Sequence, residues 1–421
     1  MHHSDSATVT TVDTLAKLLD VCGELRASEQ VDERAVIGCS FDSRAVSAGD
    51  VFFCKGAAFK PAFLSMALDA GAVAFVCEES LVESLEPLAK ESGAAMLVVD
   101  SVRTAMALLP PEVYDRPDHD VKIVGITGTK GKTTAAFMLQ SIIKAAGESC
   151  GMIGSVSTDD GIECYESTNT TPEAPEVWRH IANCRESGRQ SMVMEVSSQA
   201  LKYQRVENLT FDVACFLNIG RDHISPIEHP TFEDYFESKL RIFDQAKTAV
   251  VNLGTEEVDR VLEAASTAER LVTVGVEHPE ASLWASDVRV GGFNLHGLCA
   301  DESEAGEKVL LGIAGDFNVE NALVAIAAAH EIGIGIEAIK KGLSKLRVPG
   351  RMEVVESKDG RVICVVDYAH NQLSFRSLFS SVKRAFPTSP VIAVFGAAGG
   401  KAQERREQLP REAAPYSDLM I

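Results

Sequence analysis

The run Val-Lys-Ile-Val-Gly-Ile-Thr-Gly-Thr-Lys-Gly-Lys-Thr-Thr at 121–134 constrains the fold more than any other part of the chain. Val121, Ile123, Val124 and Ile126 have the chemistry of a buried strand. Gly125, Gly128 and Gly131 let the backbone turn tightly and approach a ligand. From Thr133 onward, Phe137, Met138, Ile142, Ile143 and Ala146 recur at helical spacing until Gly147 supplies a stop. A strand, a glycine-rich turn and a helix start in that order make a phosphate cradle, because the free N–H groups of the helix end face the turn. Lys132 adds a charge for the β- and γ-phosphates, and the Thr133 hydroxyl is placed to hold Mg²⁺. The spacing departs from the standard Walker pattern: Ile126 stands where that pattern has Gly or Ala, and Gly125 comes one residue early. A chance Gly/Lys turn is the competing reading, and the correct order of strand, loop and helix disfavours it. The chain is read as binding a nucleoside triphosphate through Gly128, Thr129, Lys130, Gly131, Lys132, Thr133 and Thr134.

Composition narrows the setting. The chain has 421 residues, enough for two or three domains. A formal charge of −21 argues against wrapping nucleic acid, which needs a basic surface. An acidic protein that binds nucleotides must concentrate its cations, helix ends and Mg²⁺ locally. No apolar run approaches a membrane span, and the start Met1-His2-His3-Ser4-Asp5 has no signal-peptide pattern. The ten cysteines are scattered without a CxxC pair, so reduced, buried thiols in a cytoplasmic protein are expected.

Two punctuation points divide the chain. One runs from Pro110-Pro111 through 115–120, and the other is Arg347-Val348-Pro349-Gly350-Arg351. The expected domains are 1–117, 118–348 and 349–421. In the first two, helical and strand patterns alternate, with strands expected near 72–77, 191–196, 213–217 and 249–253. Such alternation favours open α/β sheets covered by helices. The stretch 271–313 has more Gly and alternating apolar residues, and is expected to form a small antiparallel appendage. The third piece offers strands at 354–356, 362–366 and 391–395, a helix at 374–385, and what reads as the start of another strand at 418–421. A half-built α/β domain would expose strand edges, so this domain is expected to be incomplete as given, a small natural module being the alternative.

Further constellations surround the phosphate loop. Met192-Val193-Met194-Glu195-Val196-Ser197-Ser198 runs a carboxylate out of the end of a buried strand, the end that faces the ligand in doubly wound sheets. Glu195 is a Mg²⁺ ligand or, in the plainer reading, a capping or solvated glutamate. Asp222-His223 follows another strand and precedes an aromatic-rich helix carrying Lys239. Asn318 and Asn321 stand at the mouth of an apolar helix, where an amide either pairs with an adenine edge or caps the helix.

Taken in order, Gly-Thr-Lys-Gly-Lys-Thr-Thr at 128–134, Thr-Asn-Thr-Thr-Pro at 168–172, Glu195-Val196-Ser197-Ser198, Asp222-His223, Phe317 to Asn321, Gly350-Arg351 and Val-Asp-Tyr-Ala-His at 366–370 resemble the Mur ligases. Among these they resemble the MurE type, which adds the third amino acid to UDP-N-acetylmuramoyl-L-alanyl-D-glutamate. Asp42-Ser43-Arg44 and Phe-Phe-Cys-Lys-Gly at 52–56 are similar to that type's UDP-binding segment, so the resemblance covers essentially the whole chain.

The resemblance implies a three-domain α/β architecture, with a central doubly wound phosphate-loop domain between an N-terminal UDP-binding domain and a C-terminal Rossmann-like domain. It implies a cytoplasmic, ATP- and Mg²⁺-dependent amide ligase of cell-wall precursor synthesis, working through an acyl phosphate and expected to be monomeric. Lys132 and Thr133 would hold the phosphates and first Mg²⁺, with Glu195 as a further ligand. His223 would serve a second metal ion, and Lys239 would be carried as a carbamate. Ser43 and Arg44 would meet the uridine nucleotide; Thr170 and Thr171 would touch the muramoyl peptide, and Ser197 and Arg205 would be further substrate contacts near its phosphates or carboxylates. Asn318 would meet adenine, Arg351 the ATP phosphates and Asp367 the ribose, so domain closure near Pro349-Gly350 would assemble the site.

Gln199, where many MurE-type sequences have His, and Asn371-Gln372 after His370 depart from the family's common pattern, as does Gly254-Thr255, where the family often has acidic residues. The forms at 194–199, 224–230 and 367–374 resemble the L-lysine-adding branch more than the diaminopimelate-adding branch. Folylpolyglutamate and cyanophycin synthetases share the loop and the acyl-phosphate logic, but Asp42-Ser43-Arg44 and the 168–172 motif disfavour them. A non-catalytic nucleotide-sugar binder is the other alternative, against which Lys132, Glu195, His223 and Lys239 all stand intact.

Overall fold

The computed structural model describes residues 24–27, 35–221, 224–225, 228–289, 291–298, 305–313, 315, 317–397 and 405–421. His223 and Asp222 therefore lie outside the described residues. The N-terminal sheet has the order β1-β5-β4-β3-β2. Its strands are β1 (Glu24–Ala27), β2 (Gly38–Ser40), β3 (Asp50–Phe53), β4 (Ala74–Glu78) and β5 (Ala95–Val99). β2 to β5 are parallel and β1 closes the edge antiparallel to β5. Val51, Phe53, Val76 and Leu97 face one apolar cluster, and Phe52, Phe75, Cys77 and Met96 face another. That alternation explains why these strands read as continuous apolar runs: both faces are covered by helices.

The helix Val102–Val113 carries Pro110 and Pro111 in its last turns, so the double proline is not the break that its composition suggests. Ser101 caps the start, its hydroxyl accepting from the Thr104 N–H at 3.2 Å. The chain turns at Asp115 and Arg116, inside the 115–120 part of the expected break, where both residues hold positive φ.

The central sheet runs β16-β15-β14-β13-β12-β11-β6-β10-β7-β8-β9. β6 (Lys122–Thr127) lies parallel between β10 (Ser191–Glu195) and β11 (Phe211–Phe216). β7 (Cys150–Ile153) and β12 (Ala246–Asn252) continue the parallel array on either side. β8 (Ser157–Asp159) and β9 (Cys164–Glu166) add an antiparallel margin beyond β7. Val124, Ile126, Val193, Val213 and Val250 point to the side covered by helices Lys132–Ala145, Phe317–Glu331 and Ile336–Ser344. Ile123, Met192, Met194, Ala214 and Phe216 point to the side covered by helix Ala174–Glu186. Gly125 faces that second side because a Cβ there would lie 2.6 Å from the Phe211 ring.

The expected antiparallel appendage is corrected. β13 (Arg270–Val276) and the start of β14 (Leu283–Arg289) pair parallel, and only β14, β15 (Gly292–His296) and β16 (Glu307–Leu310) are antiparallel. All four extend the main sheet, and their inward residues Val274, Ala285, Leu295 and Val309 join its core.

The last segment holds the antiparallel pair β17 (Glu353–Glu356) and β18 (Ile363–Val366), and the parallel pair β19 (Ile392–Ala393) and β20 (Leu419–Met420). Helices Gln372–Ala385 and Arg405–Ala413 bury Phe375, Phe379, Leu409 and Ala413 together with Ala393. Met352 joins the central core, with Val365, Leu378 and Val382 packed against it.

Candidate active site

The phosphate loop sits where the parallel strands end. Gly128 and Gly131 hold φ of 153° and 88°, conformations that a Cβ would strain. A Cβ on Gly131 would also run into the Asn321 amide, and one on Gly128 would lie 2.9 Å from the Leu217 side chain. The loop is pinned from the next strand by Asn218, whose side-chain oxygen accepts from the Lys130 N–H at 2.9 Å, while its amide donates to the Lys130 carbonyl at 3.2 Å. Thr129 shares a hydrogen bond of 3.0 Å with the Tyr235 hydroxyl, which ties the loop to helix Phe232–Leu240.

Two lysines converge on a single oxygen of this loop. Lys132 Nζ donates to the Gly128 carbonyl at 2.7 Å and Lys239 Nζ donates to the same carbonyl at 3.0 Å. Lys239 is 1% exposed, and its ammonium also lies 4.9 Å from the centre of the Tyr235 ring. Beside this pair, the Thr133 hydroxyl donates to Glu195 Oε2 at 3.0 Å. Ser155 donates its N–H to Glu195 Oε1 at 2.8 Å and its hydroxyl to Oε2 at 3.1 Å. Thr133 and Glu195 thus present a hydroxyl and a carboxylate group side by side, the oxygen donors that Mg²⁺ prefers.

The residues that the resemblance assigned to the substrate join the same cluster through hydrogen bonds to Ser155 and Glu195. Thr170 shares a 3.0 Å hydrogen bond with Ser155. Thr171 donates to the Glu195 carbonyl at 2.9 Å and accepts from the Ser197 N–H at 3.0 Å. Arg205 donates to the Thr171 carbonyl at 3.0 Å and pairs with Glu173 at 3.0 Å. Ser43 and Arg44 stand in the turn after β2, where exposed Arg44 closes onto Asp42 at 2.6 Å.

The expected adenine and ribose contacts are placed as follows. Asn318 is in the first turn of helix Phe317–Glu331, buried, its oxygen accepting from Asn321 at 3.1 Å. The helix begins before both amides, so neither stands ahead of its first residue. Asp367 accepts from the Met352 N–H at 2.8 Å and the Ala369 N–H at 2.7 Å, and Arg351 lies 4.8 Å from the centre of the Tyr368 ring. These residues form one corner of the last segment.

Sequence reasoning missed Ser155, which no local pattern marks, and gave no role to Asn218 and Tyr235, although both fall in stretches that it singled out. It likewise gave no role to His229, which is buried and bonds Asp234 at 2.7 Å and Ser198 at 3.0 Å. Burial lowers the His229 pKa below its ordinary value, against the pull of Asp234.

A glycine-rich loop on a parallel sheet, with a lysine, a hydroxyl and a buried carboxylate at the phosphate end, defines a nucleotide-dependent phosphoryl-transfer enzyme. The description "Mur ligase middle domain" matches residues 126–329, and "Mur ligase, glutamate ligase domain" matches 350–421. The chain is 37% identical over 368 residues to the UDP-N-acetylmuramoyl-L-alanyl-D-glutamate–L-lysine ligase of Streptococcus sanguinis, covering 87% of this chain and 72% of that protein. In fold it is similar to a solved UDP-N-acetylmuramoyl-L-alanyl-D-glutamate–2,6-diaminopimelate ligase, with TM-score 0.73, 24% identity, and coverage of 98% of this chain and 82% of that one. The Thermotoga maritima MurF ligase in complex with ADP matches with TM-score 0.64 and 20% identity, over 91% of this chain and 87% of that one. The chain belongs to the Mur ligase family. It is an ATP-dependent ligase of peptidoglycan-precursor synthesis.

Proposed function

We propose that the chain joins a diamino acid, L-lysine, to the side-chain carboxylate of the D-glutamyl residue in UDP-N-acetylmuramoyl-L-alanyl-D-glutamate. The observation that carries this reading is the convergence of Lys132 and Lys239 on the Gly128 carbonyl, beside the Thr133–Glu195 pair. The Lys132 ammonium so placed suits an anionic ligand, and the Thr133–Glu195 oxygen pair beside it suits a divalent cation.

A carboxylate resists attack by an amine because its charge repels the nucleophile and oxide leaves badly. In the proposed reaction, a D-glutamyl carboxylate oxygen attacks the γ-phosphorus, the bond to the β-γ bridging oxygen breaks, and ADP leaves. The neutral amine then attacks the acyl carbon, and the C–O bond to phosphate breaks. The amine loses a proton as the amide forms. Phosphoryl transfer of this kind rests on positioning and charge neutralisation. Lys132 would neutralise the β- and γ-phosphates, the 128–134 backbone would orient them, and Thr170, Thr171, Ser197 and Arg205 would hold the peptide end. Mg²⁺, held by Thr133 and Glu195 with His223 and Lys239 as further candidates, would draw charge from the transferring phosphoryl group. Lys239 fits the carbamate role because its buried nitrogen already faces the phosphate loop. Asn318, Arg351 and Asp367 would bind adenine, the phosphates and ribose, with Ser43 and Arg44 at the uridine end.

This reading takes residues 1–117, 118–348 and 349–421 as three domains acting as a monomer in the cytoplasm. No helix among the described residues is long and apolar enough to cross a membrane. L-lysine is preferred because the Streptococcus sanguinis relative is named for it. The test offers ATP, Mg²⁺ and the nucleotide dipeptide with either L-lysine or meso-diaminopimelate, and measures phosphate release and product mass. A lysine adduct with one phosphate per amide supports the reading. A diaminopimelate adduct alone overturns the amine, and no product with either overturns the reaction.

A further inference from the structure

Just past the end of β10, one histidine joins two helices of the site. His229 Nε2 lies 3.0 Å from the Ser198 hydroxyl, and its Nδ1 lies 2.7 Å from Asp234 Oδ2. Ser198 opens the short helix Ser198–Lys202, next to Ser197, and Asp234 stands in the first turn of helix Phe232–Leu240, which carries Lys239. His229 is fully buried and Ser198 is 5% exposed. One turn beyond Ser198, Lys202 reaches the same Asp234 oxygen at 2.6 Å and the Glu228 carbonyl at 3.2 Å. The His229 ring also meets the Tyr235 ring edge-on, with 5.2 Å between their centres.

The protons follow from the partners. The Lys202 ammonium holds the Asp234 carboxyl below its ordinary value, and an ionised carboxylate only accepts, so His229 Nδ1 carries the proton between them. Burial keeps the ring neutral, which leaves Nε2 as an acceptor for the Ser198 hydroxyl. Serine, histidine and aspartate at these distances also make the nucleophile of hydrolases, where the serine faces an open cleft. Ser198 is all but buried. What the bonds do reach, on both sides, is the cluster around the phosphate loop. On one side Ser197, the neighbour of Ser198, donates its N–H to Thr171 at 3.0 Å. On the other, Tyr235 bonds Thr129 at 3.0 Å and Lys239 donates to the Gly128 carbonyl at 3.0 Å. Tyr235 and Lys239 are four residues apart and so share one face of their helix.

We propose that His229 is a positioning residue of the ligation, holding the helix that carries Lys239 in register with the turn that carries Ser197, through Asp234 on one side and Ser198 on the other. The proposal rests on the functional reading above and adds to it three residues to which that reading gives no role. Phosphoryl transfer requires the acceptor carboxylate in line with the γ-phosphorus. The helix would place groups at the phosphate end and the turn would place groups at the peptide end, so the contact between them sets that alignment. A slip of about 1 Å between the two costs roughly a hundredfold in rate.

The test is steady-state kinetics of the whole chain with ATP, Mg²⁺, the nucleotide dipeptide and L-lysine, as wild type, S198A, H229Q, D234N, D234A and the double variant S198A/H229Q. The expected loss in kcat is roughly tenfold in S198A and roughly a hundredfold in H229Q, with KM for ATP and for the dipeptide moving less than about threefold. D234N keeps an oxygen for His229 and should hold kcat within about threefold of wild type, whereas D234A should fall with H229Q. The double variant should lose no more than H229Q alone, because both changes break one chain of bonds. Wild-type kcat in S198A and H229Q overturns the proposal. Equal loss in D234N and D234A also overturns it, because the effect would then belong to the Lys202 ion pair. A rise in KM that accounts for the whole loss would make His229 a binding residue. An acid limb of the kcat profile that shifts in S198A would make it a proton acceptor; either result overturns the positioning role. Should thermal melts show that H229Q does not fold, S198A and the Asp234 pair carry the test. Failure of the wild-type chain to form product strikes the functional reading instead, whereas an active wild type with unaffected variants strikes only this proposal.

Discussion

Thr133 and Glu195 meet across 3.0 Å although one opens the phosphate-loop helix and the other ends a neighbouring strand. Parallel pairing of β10 with β6 places Glu195 beside Ile126, so the carboxylate arrives where the loop leaves the sheet. The contact depends on strand order, which sets the two oxygen-bearing side chains against each other.

Glu195→Gln keeps the shape and removes the charge. It is expected to lower kcat by roughly a thousandfold, the order of loss seen when a preorganised group facing developing charge is removed. Thr133→Ala should raise the Mg²⁺ concentration needed for half-maximal rate by roughly tenfold or more. Phosphate release measured across a Mg²⁺ titration checks both; wild-type kinetics in E195Q would remove Glu195 from the reaction.

Lys239→Ala is expected to abolish turnover. If the side chain works as a carbamate, a small carboxylate such as acetate should restore part of the rate, and stripping bicarbonate should slow the wild type. Rescue by methylamine instead of acetate would show that Lys239 acts as an ammonium.

Asp160 is fully buried against His180 at 2.6 Å, with Asn183 donating at 2.8 Å. Burial alone would raise its pKa, but hydrogen bonds from His180, the Glu163 and Ile162 N–H groups and Asn183 hold it at about 2 against an ordinary 3.8. A depressed carboxylate stabilises the fold above the ordinary value and loses that contribution as pH falls through 3.8 towards 2. The difference is on the order of 2 kcal/mol. Asp160→Asn should therefore be less stable by about that much at pH 7 in denaturant melts, with the gap closing below about pH 4. A gap that stays constant down to pH 3 would assign the loss to packing.

Cys164 and Cys364 are exposed, whereas Cys39, Cys54, Cys77, Cys150, Cys184 and Cys215 are buried. Burial pushes the thiols of Cys150 and Cys184 up to about 12 and that of Cys77 to about 11. Because the thiolate is the reactive form, alkylation at pH 8 followed by peptide mass mapping should modify Cys164 and Cys364 in minutes and leave those six intact. Early modification of Cys150 or Cys184 would contradict the packing of the central sheet.

What was legible in the sequence was local. The 121–134 run carried strand, turn and helix in consecutive residues. Contacts made by strand order were not legible: nothing near Ser155 points forty residues ahead to Glu195, and nothing near Lys55 points to Glu173. The alternation at 271–313 was visible, but an isolated hairpin and an extension of the main sheet show the same period of two. Pro110-Pro111 misled because proline punctuation is only statistical, and these two sit near the end of a helix.

The Lys132 ammonium bound to the Gly128 carbonyl at 2.7 Å has a thermodynamic consequence. The loop carries its own competitor, so a nucleotide arriving there exchanges one hydrogen bond for another. The measured affinity for the terminal phosphates is then a difference between two occupancies of the same lysine. Nucleotide that stops at the first phosphate would leave the internal bond intact and forgo the exchange. Calorimetry across adenosine, AMP, ADP and ATP should place the enthalpy step where the second phosphate begins.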